Sequence, residues 1–301
     1  AALSSLQVAK LSSDAIASLT TDQVKQLSTA ALNALSTGQL AALESDAIAA
    51  LTTTQLSKLD SQQVVKLSTS QIEALTTAQT QALTTAQIAA LTSDQVNNMA
   101  SDDLKALTST QVRALTTAQI STLTAAQVAL METADIAALT STQAEKLTTQ
   151  AVAALTTDQI KALSSAALNA LSSDQIKAVE AEDVTAMTTE QVKNLSTTQV
   201  TRLTTEQMEA LTTGQIQALT TAQVSALTSL QINKMASDDL QALLTSQIRA
   251  LTSDQINDIS TDQISNLTTS QVAALSTAQT SALTSGQIDS MTSGQLGALN
   301  F

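Results

Sequence analysis

The chain has 301 residues and a formal net charge of −13, with 26 acidic against 13 basic residues and no His, Cys, Trp, Tyr or Pro. That acidity opposes the basic surface that nucleic acid requires, and it disfavours anionic lipid headgroups. Without Cys or His there is no disulfide framework, no usual metal-ligand set and no imidazole base for a Ser or Thr nucleophile, so no enzyme activity is expected.

From Leu3 to Leu299 every eighth residue is Leu, Met, Val or Ile, without interruption. The unit reads L-[TS]-[TS]-x-Q-[IV]-x-A, as in Leu83-Thr84-Thr85-Ala86-Gln87-Ile88-Ala89-Ala90. Numbered from its Leu, the octad holds Ser, Thr or Asp at position 2 in 31 of 37 cases and Gln at position 5 in 28. This S/T-x-x-Q is a capping box: the hydroxyl accepts from the backbone three residues on, and the Gln amide reaches back to the cap. The aliphatics at positions 1 and 6 then form a hydrophobic staple. Position 6 is apolar except at Thr80 and Thr280, with Ala144 a small exception. No run of 18 apolar residues is long enough to cross a bilayer, so no membrane insertion is expected.

The charges test this phase independently. All 13 Lys and Arg fall at position 7 or 8, and 21 of the 26 acids fall at position 2, 4 or 5. A helix favours acids in its first turn and bases in its last. The spacing therefore predicts one short helix per octad, from about position 3 to about position 8. A single continuous helix is excluded, because its apolar stripe would drift roughly 80° per octad. A β-solenoid with corners is the alternative, but such corners usually call for Gly, Asn or Asp, and this chain has five Gly. The expected fold is all-α: one continuous superhelical solenoid over residues 1–301, about 37 octads.

Along the chain the irregular octads recur at a spacing of 136 residues, which is 17 octads. Leu27–Ala34 returns as Leu163–Ala170, and Met99–Leu104 as Met235–Leu240. The octads lacking Gln at position 5 pair in the same way: Ala15 with Ala151, Ala31 with Ala167, Ala47 with Asp183 and Asp103 with Asp239, leaving Asp135 unpaired. Tandem duplication of 17-octad blocks explains this, and a piece of a longer chain is expected.

Candidate sites are few. Asp102-Asp103 and Asp238-Asp239 could supply carboxylate oxygens to Ca²⁺, although neither fits a calcium-loop pattern. The competing reading makes them first-turn acids, with Ser101 and Ser237 shifted into the capping role left empty by Ala100 and Ala236. Glu180, Glu182 and Asp183 form a denser acidic group of the same kind. The Ser/Thr row at position 3 could present a hydroxyl array to a glycan, ice or mineral surface. Phe301, the only aromatic residue, is the expected joint if uncapped ends stack on further solenoid.

The octads of Leu75–Ala90 and Leu211–Ala226 resemble the repeat tracts of very large secreted or surface-attached bacterial proteins of the adhesin type. The resemblance covers the whole chain and lies in the scaffold, so it carries over no functional residue. It implies an extracellular bacterial setting and a filament, fibre or stalk role. A binding module that uses the solenoid surface is the alternative. The expected partner is the chain itself, end to end, or the remainder of a longer repeat chain. No cofactor is expected beyond Ca²⁺ at the acidic pairs.

Overall fold

The computed structural model describes residues 3–300. Among the described residues there are 37 short helices and no strand, one helix per octad, numbered α1 to α37 in chain order. Each starts at position 3 and ends between positions 6 and 8, as in α11 (Thr85–Ala90) and α13 (Ser101–Lys105). The all-α fold is as expected. Phe301 lies outside the described residues.

Helices this short do not persist alone in water, and local capping supplies part of what holds them. At α11 the Gln87 backbone N–H donates to Thr84 Oγ1 at 3.2 Å, and the Thr84 N–H donates to Gln87 Oε1 at 2.8 Å. The six octads without a side-chain cap bond carry Glu44, Ala100, Glu132, Glu180, Ala236 or Leu244 at position 2. Elsewhere the hydroxyl or carboxylate at position 2 caps the helix. Replacing Thr84 by Ala is expected to lower stability by about 1 kcal/mol in urea unfolding.

The links between helices need no glycine. Leu91 and Thr92, between α11 and α12 (Ser93–Asn97), lie at φ −53°, ψ 143° and φ −73°, ψ 159°. This extended backbone is open to any residue, and no residue among those described has a positive φ. Where a helix runs to position 8, two extended residues follow and turn the chain for the next; where it stops earlier, a residue in the right-handed helical region comes first, as at Ala9 after α1 (Ser5–Val8).

Packing follows the octad. Leu83 is 4 % exposed and Ile88 fully buried, while positions 2 to 4 and position 7 face solvent. Burying each such aliphatic contributes roughly 1.5–3 kcal/mol. Every helix packs against the third helix before or after it: α11 lies against α8 (Ser61–Val64) and α14 (Ser109–Ala114). The chain forms two compact units, Ala1–Ala154 and Leu155–Phe301, with the same octad packing inside each.

Thr80 is the exception in this core. It sits at position 6, is fully buried, and its Oγ1 has no hydrogen-bond partner. At Thr280 the same hydroxyl donates to the Ser276 carbonyl at 3.1 Å. Thr80→Val is therefore expected to raise stability by about 1 kcal/mol, since it removes an unsatisfied buried group at nearly constant shape. The same change at Thr280 should gain less, and comparing the two urea midpoints checks this.

Candidate functional site

Position 5 is where the structure does more than the capping box requires. Gln87 is 2 % exposed. Its Oε1 takes the Thr84 N–H, and its Nε2 donates to the carbonyl oxygens of Leu56 at 2.9 Å and Leu59 at 2.8 Å. These lie 31 and 28 residues back, on the preceding turn of the coil. The glutamine therefore starts its own helix and ties it to the turn before.

In the first unit every position-5 Gln from Gln39 to Gln119 makes this pair of bonds, at 2.6 to 3.2 Å. In the second unit every one from Gln191 to Gln295 does so over the same range. With helix packing at the third octad and amide bonds reaching towards the fourth, a turn holds between three and four octads. The inter-turn role has a sequence signal that the capping reading passes over. Glu serves a capping box as well as Gln does, yet position 5 is never Glu in 37 octads. A carboxylate can accept the cap N–H, but it has no hydrogen for the two carbonyls.

Further bonds join turns at the surface. Ser61, Ser93, Ser109 and Ser253 at position 3 donate to carbonyls 25 residues later, at 3.3 to 3.5 Å. The amides of Asn233, Gln241 and Asn257 at position 7 do the same at 2.8 to 3.1 Å. Part of the position-3 hydroxyl row is thus engaged between turns.

The four octads with Asp at position 5 interrupt the clamp. Each also has a non-capping position 2: Ala100, Glu132, Glu180 and Ala236 precede Asp103, Asp135, Asp183 and Asp239. Asp103 is 2 % exposed and its Oδ2 is unpartnered. Burial, and then the neighbouring Asp102 charge, push its carboxyl up from 3.8 to about 6. Asp239 is raised for the same two reasons, burial and then Asp238. Asp135 is raised mainly by burial, against a 3.1 Å hydrogen bond from Ser109 Oγ that favours its charged form. Asp183 Oδ1 accepts from Thr157 Oγ1 at 2.7 Å.

Within each acidic pair the two carboxylates differ in burial. Asp102 and Asp238 are exposed while Asp103 and Asp239 are buried, so adjacent carboxylates face different surroundings. No group of three or more acidic side chains gathers as a metal set among the described residues. Glu180 and Glu182 are likewise exposed, with Asp183 buried.

The expected shift of Ser101 and Ser237 into the capping role does not occur. Ala100 and Ala236 are the N-caps, without a side-chain bond, and the helices still begin at Ser101 and Ser237. The reason is packing: a one-residue shift would move Leu104 and Leu240 off the buried stripe, and the loss would exceed the roughly 1 kcal/mol of a cap.

The chain matches the family described as the ALTTAQ repeat over nine stretches: residues 1–29, 24–53, 48–85, 64–101, 96–131, 128–165, 176–213, 208–237 and 232–269. The string itself occurs at residues 74–79, 82–87, 114–119 and 218–223. It runs from the end of one helix through the link and cap to the clamping glutamine of the next. No curated protein matches the chain.

Proposed function

Because this chain belongs to the ALTTAQ repeat family, we propose that it is a structural, non-catalytic element: a segment of an extracellular bacterial filament, fibre or stalk. The observation that carries this reading is the glutamine clamp, which recurs at most octads and joins turns along the coil direction. Selection for reach favours repeating such a tie along the coil.

The partner in this reading is more of the same coil. Gln7 and Gln23 accept their own cap N–H, as the other glutamines do. Leu3, Leu11 and Leu19 are only half-buried, and Leu3, Leu19 and Gln23 line a cavity of about 730 Å³. A further octad turn, from this polypeptide or a second copy, would cover those leucines and supply carbonyls to both amides.

A binding module is the second reading. Leu230, 60 % exposed, lines a groove of about 310 Å³ with Lys177 and Arg202, which offers an anchor outside the core. Electron microscopy of the purified chain over a concentration series separates the two. Fibres of uniform width that lengthen with concentration are expected. Isolated particles of one length at every concentration would overturn self-assembly and favour the binding module.

A further inference from the structure

Two grooves at the same place in the repeat differ in one informative way. Each has a volume of about 310 Å³ and lies between the end of one helix and the start of a helix roughly three octads on. In the groove containing Leu203, position 5 is Gln231, whose Nε2 donates to the Leu203 carbonyl at 3.0 Å and the Val200 carbonyl at 2.8 Å. In the groove containing Leu107, the same position is Asp135 and position 2 is Glu132, where the other has Thr228. The amide hydrogens that would reach the Leu107 carbonyl, and share the Leu104 carbonyl with the Leu107 N–H, are absent, and a carboxyl group stands in their place.

Asp135 is 3 % exposed and its Oδ2 has no hydrogen-bond partner. Its other oxygen accepts from Ser109 Oγ, which lines the same cavity. Lys105 also lines the cavity, but it makes no ion pair with Asp135 or Glu132. A buried carboxyl oxygen without a partner, a second carboxylate at the rim and a carbonyl without its usual donor are together suited to positive charge. Such a set of carboxylate, carbonyl and hydroxyl oxygens, completed by water, is what a hard divalent cation takes.

We propose that this cavity is a calcium-class cation site, in which Asp135, Glu132 and the Leu107 carbonyl hold the ion where a glutamine amide otherwise sits. The cation replaces the clamp at this octad, so binding ties the Glu132–Asp135 helix start to the preceding turn. The reading concerns Asp135 and leaves Asp102 and Asp238, which are exposed, outside the site.

The test is calorimetric titration of CaCl₂ into the full chain at pH 7, with Asp135→Gln and Glu145→Gln variants. Asp135→Gln restores the amide of the ordinary octad and should fold, which a thermal melt without calcium checks. The wild type and Glu145→Gln are expected to bind calcium alike. Asp135→Gln should lose one equivalent or bind at least tenfold more weakly, and calcium should no longer raise its melting temperature. Lys105→Gln should bind more tightly. Equal binding by wild type and Asp135→Gln, or no binding by the wild type, would overturn the proposal.

Discussion

Replacing Gln87 by Glu is expected to destabilise the protein by about 3–5 kcal/mol at pH 7, because it leaves a buried charge facing two carbonyl oxygens. The new carboxylate could still accept the Thr84 N–H, so the capping box would survive on paper. What is lost is the Nε2 donor to Leu56 and Leu59. Gln87→Ala should cost less, since it leaves the Leu59 carbonyl without a donor but no charge, the Leu56 carbonyl keeping the Leu59 N–H; the chain itself carries Ala at this position at Ala15, Ala31 and Ala47. An order of stability of wild type, then Ala, then Glu in urea unfolding is the expected result. If the Glu variant were as stable as wild type, position 5 would be a cap and nothing more.

The second large effect has the opposite sign. Asp103→Gln is expected to stabilise the protein at pH 7 by up to about 3 kcal/mol. The Asp103 carboxyl is held at about 6 in the folded chain, against an ordinary 3.8. A carboxyl raised on folding costs stability wherever it must be ionised. That cost is full above about pH 6, shrinks as the pH falls and is gone below about pH 4, so the wild type gains stability on mild acidification. The variant lacks this dependence and gains a donor for the preceding turn. The octad of Leu244 shows that a non-capping position 2 is no obstacle. There Gln247 Oε1 accepts the Leu244 N–H at 2.7 Å, and its Nε2 reaches Ile216 and Leu219 at 3.0 and 2.7 Å. Thermal melts of both proteins from pH 7 to pH 4 should show a gap that narrows with acidity. A gap independent of pH would mean that ionisation of Asp103 does not govern it.

Most of the fold was legible in the sequence because its determinants are local. The cap at Thr84, the staple of Leu83 with Ile88 and the basic residues at helix ends all lie within one octad, where spacing alone states the geometry. The second half of the Gln87 amide was not legible in the same way. Its partners are 28 and 31 residues away, and only the pitch of the coil brings them within reach. The exclusion of Glu from position 5 was the available trace of it. The acidic octads show the same division. Asp102 and Asp103 are neighbours in sequence, but burial separates them, and that depends on the turn packed above and below. Ser101 failed as a cap for the same reason: local chemistry offered a shift that the buried stripe of Met99 and Leu104 does not allow.

Position 5 supplies a hydrogen-bond donor to the preceding turn. Comparing the urea stability of Gln87→Glu and wild type at pH 7 and at pH 4 tests it most directly. A buried Glu is pushed up by desolvation, so at pH 4 the folded variant carries a protonated carboxyl, which can donate to a carbonyl as the amide does. A large deficit at pH 7 that mostly closes at pH 4 is expected. A deficit of the same size at both pH values, or none at pH 7, would contradict it.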